Sequence, residues 1–341
     1  MACNNDWSPL EEIIVGTADY ASIPMTNIST MKCQFPEYEE EYIKQYTGFF
    51  PQQIIDEQNE DLEKLSDVLK KLGVKVHRPD TQYAETETVS PNWRGKNWHY
   101  HCPRDLTLVV GDTLIETPSP IWNRQYETWA YRKIFTELFN EGYNWVKAPI
   151  PILYDENYKE NTKGVPALNN LEILFEAANC IRINEDILYQ VSNTGNENGA
   201  KWLQRTLGDK YKVHVATDLY SYAHLDSTIV PLREGLVLYN AHRVTPQNEP
   251  EIFKSWDKIW INECVGPDTS PFNLPWGASE WIGLNLLSIN ENLAIVDKKQ
   301  TQIHERMKSF GIETIPLELR HDRIISGGFH CVTLDLKRKI S

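Results

Sequence analysis

Short runs in which apolar and polar residues alternate recur along the chain, each interrupted by a tight polar turn. Leu106 to Glu116 turns at Gly111-Asp112, and Ile181 to Val191 turns at Asn184-Glu185-Asp186. Thr228 to Tyr239 turns at Arg233-Glu234-Gly235, and Leu287 to Val296 at Asn290-Glu291-Asn292. A period of two broken by turn formers predicts β-hairpins. After each hairpin the apolar spacing becomes helical: Tyr126 to Asn140, Asn198 to Leu207, a short stretch near Glu251 to Trp256, and Thr301 to Phe310. Each helix leads into another short strand: Trp145 to Ala148, Lys212 to Ala216, Ile259 to Asn262, and Thr314 to Leu317. A looser first unit has a strand at Glu12 to Gly16, an amphipathic helix at Ile54 to Leu72 and a strand at Val74 to Val76. Gly73 stands where a helix C-cap is expected. The last strand, Cys331 to Leu336, is left over and can pair with the N-terminal one to close the set. The expected fold class is therefore α/β: a five-bladed α/β propeller of ββαβ modules around a pseudo-fivefold axis, a closure that removes exposed sheet edges. No composition break or Gly/Ser linker divides residues 1–341, so one domain is expected.

The chain has 341 residues and a net charge of −14. That balance argues against a nucleic-acid partner, which would want a basic face. No stretch approaches the ~18 consecutive apolar residues of a membrane span. Met1 to Asp19 lacks the basic then apolar run of a signal peptide. Cys3, Cys33, Cys102, Cys180, Cys264 and Cys331 include no C-x-x-C pair, and read as reduced thiols of a cytoplasmic protein. His99-Tyr100-His101-Cys102 is the only tight metal-like cluster. It lacks a second half with ligand spacing, so neither metal nor cofactor is expected.

The candidate chemistry lies near the C-terminus, in Gly327-Gly328-Phe329-His330-Cys331-Val332-Thr333. Two glycines allow a sharp turn and a close approach to a ligand, and they deliver one cysteine to the start of a strand. A cysteine displayed there, with the acid/base candidate His224 about a hundred residues earlier, suits a thiol nucleophile. Asp105, Glu176 and Asp226 occupy comparable places at strand entrances or beside turns. Together with His224 and Cys331 they suggest a carboxylate-lined pocket for a planar cation.

At these residues the chain resembles the amidinotransferases, nearly along its whole length. The blocks are Asp6-Trp7-Ser8-Pro9-Leu10-Glu11-Glu12-Ile13-Ile14-Val15-Gly16, Cys102-Pro103-Arg104-Asp105, Glu127-Thr128-Trp129-Ala130-Tyr131-Arg132, His224-Leu225-Asp226, Trp281-Ile282-Gly283-Leu284-Asn285 and Gly328-Phe329-His330-Cys331-Val332-Thr333. The resemblance implies the pentein fold, the five-bladed propeller reached above from the strands. It implies that Cys331 attacks the guanidinium carbon of L-arginine, giving an amidino-cysteine and ornithine. His224 would protonate departing ornithine and deprotonate the incoming amine acceptor, and Glu176 would orient His224. Asp105 and Asp226 would clamp the guanidinium, whose planar fork suits paired carboxylates. Arg243 would grip the substrate α-carboxylate, with Ser279, Asn179 and Ser221 as further substrate contacts. The resemblance leaves room for a homodimer.

Several positions depart from the family pattern. Glu176 stands where the transferases have Asp and the deiminases Glu, which keeps an arginine deiminase-like hydrolase as the alternative activity. Asn179 replaces a common Asp, and Ala278 precedes Ser279 where the animal enzyme has two serines. Ser221-Tyr222-Ala223 replaces the Asn-Pro-Met of the glycine-using enzyme, so a larger primary amine than glycine is expected as acceptor. Three nearby carboxylates should also raise the Cys331 pKa. A bound guanidinium cation would offset their field, so substrate is expected to help activate the thiol.

Overall fold

The computed structural model describes residues 3–160, 162–267 and 269–339. Five three-stranded sheets carry the chain, and four share one plan. A hairpin supplies two antiparallel strands, and the strand after the next helical segment adds in parallel to the second of them. These sheets are Thr107–Val110, Thr113–Glu116 and Asn144–Lys147; Cys180–Ile183, Asp186–Gln190 and Lys212–Ala216; Ile229–Arg233, Leu236–Asn240 and Asp257–Ile261; and Leu287–Asn290, Leu293–Asp297 and Glu313–Leu317. The remaining sheet joins the two ends of the chain. Leu10–Val15 pairs antiparallel with Thr333–Arg338 and parallel with Lys75–His77. The expected union of first and last strands is thus present. The sheets remain separate, and among the described residues no single closed sheet forms.

Helices differ more from expectation. The long one, Gln52–Lys71, buries Ile54, Ile55, Leu62, Leu65 and Leu69 on one stripe, the face its spacing predicts. Gly73, with φ +85°, reverses the chain after it. Glu197–Leu207 and Thr301–Ser309 are also helices. By contrast, the segment expected from Tyr126 begins as a tighter 3₁₀ turn, Glu127–Tyr131, before the α-helix Arg132–Asn140. Buried Glu127, ion-paired to Arg124, and Thr128 anchor that turn toward the core. Near Glu251 only one 3₁₀ turn forms, Glu251–Phe253. The final strand starts at Thr333, so Cys331 lies in the turn before it and not on the strand.

Packing runs between neighbouring sheets. One apolar cluster joins Ile14 and Leu334 to Val109 and Leu114, and the next joins Leu108 and Ile115 to Ile187 and Tyr189. A third unites Ile181 and Leu188 with Val237 and Tyr239, and a fourth Leu238 and Ile259 with Ala294 and Val296. A fifth returns from Leu287 and Ile295 to Ile13 and Val15. Where several sheets meet, Asp335 is fully buried and binds Arg104, Arg182 and Arg338. Arg182 also donates to Val109 O, Arg338 to Ser8 O and Ser288 O, and Arg104 to His330 O and Thr333 O. Removing the carboxylate would strand buried guanidiniums at a cost of ~3–5 kcal/mol. The hub therefore fixes the strand ends from which the site is built.

Candidate active site

The turn holding Cys331 is clamped by one asparagine. Cys331 N donates to Asn285 Oδ1 at 2.8 Å, and Asn285 Nδ2 donates to the sulfur at 3.2 Å. The two preceding glycines act through space more than through conformation. A Cβ on Gly328 would lie 2.7 Å from Asn285 Cβ, and one on Gly327 would lie 2.7 Å from Cys102 Sγ. Neither has a positive φ; the left-handed residue of this turn is Ser326, at φ +67°. The expectation that the glycines make the sharp turn is corrected accordingly.

The Cys331 thiol donates to Asp226 Oδ2 at 3.2 Å, an oxygen that also lies 3.0 Å from His330 Nδ1. His224 Nε2 is 2.6 Å from Glu176 Oε2, and its Nδ1 is 3.6 Å from Asp105 Oδ1. One polar atom each from Asp105, His224 and Cys331 lie within 4.8 Å of one another. Glu176 is wholly buried; it accepts from Ser119 Oγ at 2.6 Å and pairs with Arg124 Nη1 at 3.3 Å. Arg124 Nη1 also donates to Asp105 Oδ2 at 2.9 Å, and its Nη2 lies 3.0 Å from Glu127. Asp105 Oδ1 is left buried with no hydrogen-bond donor. An orphaned carboxylate oxygen is costly unless a ligand N–H satisfies it.

The charges arrange themselves for proton transfer. A hydrogen bond with Cys102, burial, and the carboxylates of Asp226 and Asp105 push the Cys331 thiol well above its usual range; His224 pulls the other way. Burial disfavours a charged His224, but Asp105, Cys331 and Glu176 overcome it and hold the imidazole protonated well above its ordinary value. Burial would raise Glu176, yet Arg124 and His224 keep it below the normal range. Asp226 is likewise held low against burial, chiefly by the His330 hydrogen bond. Burial raises Asp105 despite His224 and Arg124, with Glu176 and Asp226 adding to the rise. These shifts favour a neutral thiol beside a protonated imidazole.

A cavity of about 560 Å³ opens over this group, lined by Asp105, His224, Asp226, Arg243, Ser279 and Cys331 among others. Arg243 donates to Ser279 Oγ at 2.8 Å and to Ser227 Oγ and Thr228 Oγ1 at 3.0 Å each, and stacks 3.5 Å over the Tyr220 ring. Glu176 stands behind His224 instead of on the wall. Asn179 and Ser221 are not on the wall either. Asn179 is turned inward, its Oδ1 accepting from Ser192 Oγ at 3.3 Å and Thr194 Oγ1 at 3.2 Å. Ser221 uses its backbone O to accept from Asn193 N, while its neighbours Tyr220, Tyr222 and Ala223 face the cavity.

Sequence reasoning missed Arg124, Asn285, Cys102 and His330 as members of the site. Asn285 ends the Trp281-Ile282-Gly283-Leu284-Asn285 block, but nothing local pairs it with a cysteine 46 residues on. His99 and His101 are buried and shifted down by burial, His101 to about 3. His101 Nε2 contacts Gln58 Nε2 at 2.9 Å, so the ring is a neutral core element. All six cysteines are free. No described helix is long and apolar enough to cross a membrane.

No protein-family model matches the chain. It is 43% identical over 341 residues to inosamine-phosphate amidinotransferase 1 of Streptomyces glaucescens, covering 99% of this chain and 97% of that protein. Identity to the L-arginine:L-lysine amidinotransferase of Pseudomonas savastanoi pv. phaseolicola is 36%, covering 98% and 93%. The solved inosamine-phosphate amidinotransferase of Streptomyces griseus superposes with a TM-score of 0.96 at 41% identity, covering 100% of this chain and 97% of that one.

Proposed function

The chain belongs to the amidinotransferase family of transferases, and on that premise we propose that it moves the amidino group of L-arginine to an amine acceptor and releases ornithine. One observation carries the reading: Cys331, His224 and Asp105 converge within 4.8 Å on a cavity wall, with a buried Asp105 oxygen lacking a donor. A guanidinium N–H answers that oxygen, and Asp226 meets the opposite edge of the planar group. Arg243 takes the α-carboxylate, with Ser279 beside it.

In the first half-reaction the Cys331 sulfur bonds to the guanidinium carbon and the bond to the ornithine nitrogen breaks. His224 gives its proton to the leaving nitrogen and, left neutral, takes up the proton of the Cys331 thiol, so the proton lost by the thiol is in net the one ornithine carries away. Bound arginine offsets the Asp226 and Asp105 field that disfavours the thiolate, so substrate activates its own attacker. In the second half-reaction the acceptor amine attacks the amidino carbon and the C–S bond breaks, with His224 giving its proton to the departing sulfur and taking one from the amine, which restores the starting site. The cycle is ping-pong and needs no metal or organic cofactor.

We read residues 1–341 as one cytoplasmic catalytic domain. The five sheets are taken as blades of a propeller around a pseudo-fivefold axis, a reading supported by the cyclic sequence of apolar clusters. The acceptor is a primary amine larger than glycine. Ala223 beside His224 opens space, although Tyr222 lines the cavity 5.5 Å from the Tyr220 ring and takes part of it back. Product analysis with arginine and a panel of amines tests the reaction. Ornithine with a guanidino product supports transfer; citrulline with ammonia would assign the chain to hydrolysis instead.

A further inference from the structure

Three guanidiniums line the cavity: Arg124, Arg243 and Arg323. Arg124 is neutralised by Asp105, Glu127 and Glu176. The other two make no ion pair among the described residues. Arg243 has hydroxyl partners and, on the proposed function, receives the one carboxylate that arginine carries. Arg323 is left over.

Its surroundings are those of a held cation. The guanidinium carbon lies 4.0 Å from the centre of the Trp276 ring, which also lines the cavity. Arg323 Nε is shut away from solvent and has no hydrogen-bond partner. Asp322 and Glu280 are close enough to be felt, but neither forms an ion pair with it. The backbone is fixed as well, because Arg323 O accepts from Gly277 N at 2.8 Å and Ala278 N at 3.0 Å. Two residues along the same strap, Ser279 Oγ accepts from Arg243 Nη2. The strap Trp276–Ser279 therefore separates the two unpaired guanidiniums, and four residues of chain span at most about 10 Å between their end Cα atoms.

We propose that Arg323, stacked on Trp276, is a second anion subsite that selects an amine acceptor bearing its own oxyanion group, phosphate or carboxylate, distinct from the Arg243 subsite of the donor. The inference rests on the transferase reading. Arginine brings a single carboxylate, which Arg243 takes, so Arg323 has no part in the donor half-reaction; once ornithine has left, Arg323 is the cavity cation that only the acceptor can use. A planar guanidinium stacked on an aromatic face presents its edge as a fork, which suits a tetrahedral or planar oxyanion. Arg323 contacts the acceptor and not the reacting carbon, so it sets specificity without joining the chemistry at Cys331.

The test separates the half-reactions. Wild-type, Arg323→Gln and Arg323→Lys proteins are loaded with arginine, and the ornithine burst is measured. The amidino-enzyme is then chased with an inosamine phosphate, with the same inosamine lacking phosphate, or with lysine. Arg323→Gln should keep its burst within about twofold, which also reports a folded site, while kcat/KM for the oxyanion-bearing acceptor falls by about tenfold or more. Free inosamine should be nearly unaffected, and Arg323→Lys should recover part of the loss. A loss confined to the inosamine phosphate assigns a phosphate; a loss confined to lysine assigns a carboxylate. An equal change for all three acceptors, no change for any, or a burst lost together with transfer would overturn the separate subsite. Absence of a burst in the wild type would instead defeat the transferase reading, and the subsite with it.

Discussion

Glu176→Gln tests the proton-transfer scheme because this residue touches the acid and not the substrate. The carboxylate lies 2.6 Å from His224 Nε2 and is wholly buried. At that separation, with an effective dielectric of about 20, the gross attraction to an imidazolium is about 6 kcal/mol. Much of it is already spent on Arg124, which shares the same carboxylate. The net value is better taken as that of a charge-assisted hydrogen bond, about 1.5–3 kcal/mol. At about 1.4 kcal/mol per pKa unit, the amide should lower the His224 pKa by about one to two units. The raised His224 donates only while protonated, so the first half-reaction runs below its folded pKa and fades as pH rises through it. In Glu176→Gln that alkaline decline should begin about one to two pH units earlier. Rapid-quench measurement of ornithine release across the pH range reads this directly. A thermal melt must accompany it, since removing one partner of a buried pair costs about 3–5 kcal/mol of stability. An alkaline limb that stays in place, or moves upward, refutes the assignment of Glu176 as the group that holds the His224 proton.

Two other perturbations probe the scaffold around the nucleophile. Gly328→Ala places a methyl 2.7 Å from Asn285 Cβ and 2.9 Å from Asn285 O, neither of which can swing aside. The arginine half-reaction should slow by about a hundredfold as Cys331 leaves its clamp, and an unchanged rate would show the turn to be yielding. Stability should fall below about pH 6.5, because the unfolded chain takes up protons that buried His101 accepts only near about 3. His101→Gln should flatten that limb by up to about 1.4 kcal/mol per pH unit in urea unfolding at several pH values, whereas parallel limbs would place the effect elsewhere.

Most of the sheet framework was legible because hairpins are local. Turn residues such as Gly111 and Gly235, both at positive φ, mark the reversals, and alternation marks the buried face. Closure through Leu10–Val15 and Thr333–Arg338 could be inferred only because one strand was left without a partner. Helix type was less legible: Glu127 reads as the start of an amphipathic helix, but its ion pair with Arg124 holds a 3₁₀ turn. Within the site, Cys331, His224, Asp105, Asp226, Arg243 and Ser279 reach one cavity. Asn179 could not be placed from sequence because its inward hydrogen bonds come from Ser192 and Thr194, beyond the whole hairpin of residues 180–190 that follows it. Arg124 and Asn285 were hidden for the same reason. Their work is done across sheet boundaries, where no spacing rule applies.

The central claim is that Cys331 carries the amidino group between donor and acceptor. Incubating the protein with L-arginine alone, then taking intact and peptide masses, tests it without knowledge of the acceptor. The account predicts one ornithine released per active site and a mass gain of one amidino group mapped to Cys331, absent from Cys331→Ser and discharged by an acceptor amine. Turnover of arginine with no adduct under any quench, or an adduct mapping to Cys102 or Cys180, would contradict it.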